Sequence, residues 1–326
     1  MATATDLKLL LQVKNVKKFY TIQKFGKFKK GVVKAVNDVS FNLYEGETYG
    51  LVGESGCGKS TLGKTLLQLE DANGGEAIYK GKNLFNLSKR ELRNSRRELQ
   101  MVFQDPYSSL NPKINIGKAL EEPLVIHGIG NAKERTEKAI EVLKNVGLQP
   151  EHYFRLPHEL SGGQRQRIGL ARALILNPKI VICDEPVSAL DVIIQSQIIN
   201  LMRKIQRELN LTYLIISHDI GVVRHISDRI GVMYLGNLVE EAETDEMFEN
   251  PLHPYTQVLL SAVPSTTIGN KKERIVLNGE LPSPLNPPSG CKFHERCPFA
   301  TTECKKSEPI KKEVRKNHFV ACHLYN

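Results

Sequence analysis

No stretch of this 326-residue chain stays apolar for anything near the roughly 20 residues that cross a bilayer. Runs such as LVG and KIVICD reach glycine or charge within a few positions, so no membrane-spanning helix is expected. The opening MATATDLKLLLQVKNVKKF carries Asp6 and Lys8 within its apolar patch and lacks a small-residue cleavage site. No export signal is read there, and the cytoplasm is the expected compartment. Internal repeats, low-complexity tracts and a sustained heptad are all missing. Acid is missing locally too: Lys14 to Lys34 holds eight lysines (14, 17, 18, 24, 27, 29, 30 and 34) and no Asp or Glu. That run reads either as a polyanion-binding stretch or as a solvated loop between strands.

What is present is ordinary for a soluble folded protein. Hydrophobic residues make up 40% and charged residues 25% of the chain, which excludes a collagenous or disordered polymer. The net charge is +9. The length allows two or three domains, burying roughly three quarters of the unfolded surface. Strands alternate with helices, as in an α/β protein with a mostly parallel sheet. ETYGLVG, KIVICDE and TYLIISHD are short apolar runs that end in glycine or polar residues, as buried central strands do when function gathers at their carboxyl ends. Between Gln104 and about Pro178 the pattern turns helical, and ERTEKAIEVLKNVG has helical spacing with a glycine stop. After Asn250 prolines crowd in, at 251, 254, 264, 282, 284, 287 and 288, and mark an appended tail.

Two stretches have the make-up of phosphate sites. GESGCGKST, Gly53 to Thr61, fits G-x-x-x-x-G-K-S between a strand and a helix. Its glycines, Gly53, Gly56 and Gly58, let the backbone wrap a phosphate closely, and the amides of Glu54, Ser55 and Cys57 face inward with the helix N-terminus. Lys59 reaches the outer phosphates, and Ser60, followed by Thr61, offers a hydroxyl to Mg2+. ATP is the expected ligand. IVICDEP ends a strand in Asp184 and Glu185, whose side chains point apart if the backbone stays extended. Asp184 then suits the magnesium shell, and Glu185 the water attacking the γ-phosphorus. The second stretch is LSGGQRQRIGLARAL: Ser161 caps a helix whose amides Gly162 and Gly163 leave bare, with Gln164 following, but no lysine is present. One nucleotide does not need both; the second cradle makes sense against the γ-phosphate held by another subunit. By itself it is also a well-capped surface helix.

Together these residues resemble the ATP-binding cassette (ABC) ATPases of ABC transporters. GESGCGKST looks like Walker A, IVICDE like Walker B, LSGGQ like the signature, Gln104 in VFQDP like the Q-loop, SALD (188–191) like the D-loop, and His218 in ISHD like the switch histidine. The resemblance implies a RecA-like core with a mostly parallel sheet, an antiparallel β subdomain and a helical subdomain at about 105–178, the cassette filling residues 1–250. It implies a head-to-tail dimer with a second ABC ATPase, each ATP lying between one subunit's Walker A and the other's signature. It gives Gln104 a place on Mg2+ or the attacking water, and His218 one on the γ-phosphate. Tyr20 matches the aromatic that stacks on adenine; by chemistry alone it is a packing tyrosine.

The tail, 251–326, holds Cys291, Cys297, Cys304 and Cys322 within 32 residues, separated by five, six and seventeen others. Clustered thiols outside an oxidising compartment suggest metal, 4Fe-4S or Zn2+, although neither the C-x-x-C zinc knuckle nor the ferredoxin run is there, and unligated thiols remain open. NPLHPYTQVLLSAVP, PPSGCKFHERCPFA and VACHL look like the C-terminal extension of dipeptide and oligopeptide permease ATPases, some of which carry a 4Fe-4S cluster there. The chain is most like the F component, with the D component as the other choice. The resemblance implies two transmembrane permease subunits as partners, an extracytoplasmic peptide-binding protein as an indirect one, no nucleic acid, and a peripheral place on the cytoplasmic face of the membrane. Nickel importers share much of the pattern. An ABC-type protein acting on nucleic acid or ribosomes is the remaining alternative, motivated by the lysine run.

Overall fold

The computed structural model describes residues 8–23, 30–105, 109–262 and 282–325. Lys24, Lys27 and Lys29 of the lysine run, Pro106 of VFQDP and Pro264 lie outside the described residues. In chain order the elements are β1 (Leu9–Gln23), β2 (Lys30–Tyr44), β3 (Thr48–Val52), α1 (Lys59–Leu66), β4 (Gly74–Tyr79), β5 (Lys82–Asn83), α2 (Lys89–Ser95) and β6 (Leu99–Val102). There follow α3 (Ile116–Ile126), α4 (Ala132–Asn145), α5 (Gly162–Leu174), β7 (Ile180–Asp184), α6 (Val192–Leu209), β8 (Thr212–Ser217), α7 (Ile220–Ile226), β9 (Arg229–Tyr234) and β10 (Asn237–Glu243). The chain closes with α8 (Thr244–Glu249), α9 (Pro254–Ser261), α10 (Thr302–Lys306), β11 (Lys312–Arg315) and β12 (His318–Val320). Among the described residues no helix is long and apolar enough to cross a membrane.

The contacts divide the chain into two compact units. The first holds Tyr44–Thr48 and Leu87–Ile216. Its β6, β7 and β8 run parallel, with Leu99 beside Ile180 and Ile180 beside Thr212. Every residue of β7 and β8 is buried, so the strands read as unbroken apolar runs rather than alternating ones. α3, α4 and α5 pack on one another, and Leu120, Leu124, Leu143 and Ile168 on them are buried. α4 starts two residues before the periodic stretch ERTEKAIEVLKNVG because Asn131 and Glu134 form a reciprocal cap.

The second unit holds Leu9–Leu43, Tyr49–Asn86 and Ser217–Asn326. One sheet has the order β2-β1-β4-β5, with β1–β4 and β4–β5 antiparallel. In the other, β3 lies parallel to β9, which pairs with β10 antiparallel. β12, from the tail, adds antiparallel to β10 with Glu240 opposite Val320, and β11 adds to β12. Tail residue Phe293 is buried in the same core as Val52, Tyr234 and Tyr255. The edge of β10 is thereby covered, which removes a row of open backbone groups.

Candidate functional site

In the second unit, β3 runs straight into the glycine loop and α1. The loop needs its glycines: Gly53, Gly56 and Gly58 have φ of 153°, 79° and 105°. A Cβ at Gly53 would lie 2.2 Å from the Met233 carbonyl oxygen, and one at Gly58 1.9 Å from that of Ala35. Lys59 is buried, and its Nζ donates to the carbonyl oxygens of Gly53 (2.7 Å) and Glu54 (3.0 Å). No acid occupies the first turn of α1, so the positive end of the helix is uncompensated. Burial pushes the Cys57 thiol up and keeps it protonated. Ser60 and Thr61 are half-buried at the start of α1, and Ser55 and Gly56 are exposed.

Residue 54 is held from three directions. Its carbonyl takes the Lys59 bond, and its N–H donates to the Tyr255 hydroxyl at 2.9 Å. Its carboxylate accepts a fork from Arg296, Nη1 to Oε2 at 2.9 Å and Nη2 to Oε1 at 3.1 Å. Tyr255 and Arg296 belong to the tail, and sequence reasoning missed both.

Tyr20, in β1 of this unit, donates its hydroxyl to Glu70, and the Lys18 ammonium lies 5.0 Å from its ring centroid. Burial first, then the Glu70 bond, raises the Tyr20 pKa. His218 is exposed just after β8, which rules out a core histidine. Asp219 next to it caps α7 by accepting from the Val222 N–H at 3.2 Å.

In the first unit, Asp184 ends β7 and is buried. Glu185 does not continue the strand. Its φ is 47°, a left-handed conformation unusual for this residue type, although its N–H still bonds the Ile216 carbonyl at 2.8 Å. The backbone is therefore not extended across the pair, and the strand alternation expected to part the two acids does not apply at Glu185. Gln104 Nε2 donates to Glu185 Oε2 at 2.8 Å, bringing two predicted residues together. Ser161 caps α5, accepting from the Gln164 N–H at 3.3 Å, while Gln164 Oε1 accepts from the Ser161 N–H at 2.9 Å. Ser161 and Gly162 are exposed. A Cβ on Gly163 would approach Ile194 of α6 to 2.7 Å, so that glycine also lets two helices meet.

The four tail cysteines gather, but not around one ion. Burial raises the thiols of Cys291, to about 11, and of Cys297 and Cys322, and neighbouring thiols add to each shift. The backbone at Phe293, Phe299 and Leu324 partly offsets those shifts at Cys291, Cys297 and Cys322. Cys304 Sγ faces the Thr301 N–H at 3.5 Å. Among the described residues no three His, Cys, Asp or Glu side chains are grouped so as to hold a metal ion. The expectation of a tail metal centre is corrected to that extent: the side chains as they stand form no ready-made set of ligands for one ion.

Comparison with known proteins fits this geometry. Residues 36–188 match the family described as ABC transporter, and residues 239–304 match the oligopeptide/dipeptide transporter C-terminal region. The oligopeptide transport ATP-binding protein AppF of Bacillus subtilis (strain 168) is 56% identical, covering 99% of this chain and 100% of that one. The dipeptide transport ATP-binding protein DppF of Escherichia coli (strain K12) is 50% identical over 98% and 95%. Among solved structures, the dimeric ATP-binding cassette MJ0796 bound to ADP and Pi superposes with a TM-score of 0.64 at 32% identity, covering 72% of this chain and 99% of that one. With the phosphate loop, the kinked Asp184–Glu185 pair and the signature helix on one chain, and with these matches along nearly all of its length, the chain belongs to the ABC transporter ATPases, in their oligopeptide/dipeptide type.

Proposed function

We propose that the chain is the ATP-hydrolysing subunit of an importer of di- and oligopeptides, working as a dimer with a second ABC ATPase beneath two membrane permease subunits. The observation that carries the reading is the glycine loop with the buried Lys59 folded against it, its backbone so tightly seated that a Cβ at Gly53 or Gly58 would strike the Met233 or Ala35 carbonyl. The loop binds the phosphates through its amides and Lys59, and the family resemblance assigns Tyr20 to the adenine, His218 to the γ-phosphate, and Gln104, Asp184 and Glu185 to the metal and the attacking water. Ser60, Asp184 and Gln104 are hard oxygen donors that suit Mg2+, which neutralises charge on the phosphates when bound. Glu185 orients the attacking water and takes its proton as the oxygen bonds to the γ-phosphorus and the bridge to the β-phosphate breaks; Gln104 holds its carboxylate ready. Ser161 to Gln164 receive the γ-phosphate of the partner's nucleotide.

Glu185→Gln tests the chemistry. It should lower kcat by about 10²–10³-fold while ATP binding persists and a dimer becomes trapped. Unchanged turnover would remove Glu185 from its role. Uptake of a labelled dipeptide by vesicles reconstituted with the permease subunits tests the substrate class.

The family resemblance also implies an iron–sulfur centre, and four soft thiol donors are the ligand type such a cluster takes. Cys291, Cys297, Cys304 and Cys322 would hold it. An anaerobic preparation should be brown, absorb near ~400 nm and contain iron and sulfide; a colourless protein with stoichiometric zinc would overturn this.

A further inference from the structure

We propose that Arg296 is a positioning residue of the nucleotide site, by which the cysteine-bearing tail holds the phosphate loop and cancels the charge of Glu54. The inference rests on the reading of Gly53–Thr61 as the ATP site. Arg296 lies 242 residues from Glu54 in sequence, yet the two form a bidentate pair at 2.9 and 3.1 Å. The arginine side chain is only 9% exposed and that of the glutamate 27%, so the pair sits largely out of water, where fork geometry counts most. Arg296 also approaches the Tyr234 hydroxyl at 3.4 Å, which fixes its plane.

Two consequences follow from the position of Glu54. Its carbonyl is one of the two that hold the Lys59 ammonium, so fixing the Glu54 side chain fixes a rest point of the lysine that must swing to the phosphates. Its carboxylate also stands within the very loop that takes a triphosphate. Unpaired, it would set a negative charge beside an incoming polyanion; paired with Arg296, it does not. The arginine is carried on the turn between Cys291 and Cys297, where its N–H donates to the Phe293 carbonyl at 3.0 Å and the His294 N–H donates to that of Cys291 at 3.1 Å. The geometry of the thiol-bearing turn is thus passed to the ATP loop through one side chain.

The test uses the full-length chain, with ATP affinity by calorimetry and KM and kcat by phosphate release. Arg296→Ala should weaken ATP binding and raise KM by roughly tenfold, with kcat at saturation within about twofold of wild type. Arg296→Lys, which keeps the charge and loses the fork, should fall between. Removing the stranded charge should rescue: Glu54→Gln with Arg296→Ala should bind ATP within about threefold of wild type. Circular-dichroism melting checks folding, and the Lys variant and the double variant stand in if Arg296→Ala does not fold. Wild-type affinity in Arg296→Ala overturns the proposal, as does a double variant weaker than Arg296→Ala. Lys59→Ala separates the two readings: if it binds ATP like wild type, the loop is not the ATP site and both fall, whereas lost binding there beside unchanged binding in Arg296→Ala sinks only the role of Arg296.

Discussion

The chain contains two glycine-bearing helix starts that look alike on paper and are built on opposite plans. The loop before α1 is tightly held: carbonyls stand where Cβ atoms of Gly53 and Gly58 would go, its lysine is buried, and the tail ties down residue 54. The start of α5 is open: Ser161 and Gly162 are exposed, and a Cβ on Gly162 would meet nothing nearer than Leu190 at 3.5 Å. Both lack acid in the first turn, so both offer the positive end of a helix. The difference teaches what each needs. A cradle that holds its own nucleotide has to be shaped in advance, whereas one completed by a partner has to stay accessible.

Breaking the tightly held site should have the largest effect. Lys59→Ala should cost ATP affinity on the order of 100-fold, read by calorimetry, since it deletes a charge-assisted contact to the phosphates. Next comes the open site, read in the assembled transporter. Ser161→Arg should leave ATP binding by the lone chain within about twofold, yet lower hydrolysis in the complex by at least about tenfold, because a bulky cation fills the place of the partner's γ-phosphate. If the lone chain lost binding instead, the two cradles would not be divided between subunits.

The glycines sharpen the contrast in stability. Gly58→Ala should destabilise by about 3 kcal/mol or more in urea unfolding, because alanine resists φ of 105° and its Cβ meets the Ala35 carbonyl. Gly162→Ala should stay within about 0.5 kcal/mol, alanine being the better helix former.

The smallest expected effect is a pH dependence confined to the unit with the tightly held site. His318 is buried between Glu240 (2.8 Å) and Glu246 (3.2 Å), and Arg315 also bonds Glu246 at 3.0 Å. Burial alone would lower the His318 pKa, but the two carboxylates outweigh it and raise it. The charged pairing therefore stabilises fully below the ordinary value of 6.5 and is lost as pH rises through the raised one. Glu246, held down to about 2 by Asn250, His318 and Arg315, contributes above its ordinary 4.5 and fades as pH falls toward 2. Hydrogen-exchange protection factors of β10 and β12, corrected for the base-catalysed intrinsic rate, should fall from pH 6 to pH 9 while those of β7 hold, and His318→Gln should flatten the response.

Local chemistry was legible from residue order alone. A glycine loop between an apolar run and a helix, or a serine three residues ahead of a glutamine, dictates geometry over a few peptide units, and the strand runs around β3, β7 and β8 showed their burial by never alternating. The left turn at Glu185 was hidden, since no rule for an Asp-Glu pair demands it. The thiols were countable, but how they face one another was not. That Arg296 meets Glu54, that β12 covers β10 and that Tyr255 caps the loop from behind were decided only by the tertiary structure. Their partners lie far off along the chain, and which distant surfaces meet depends on how whole elements pack rather than on the dihedral preferences of any short stretch.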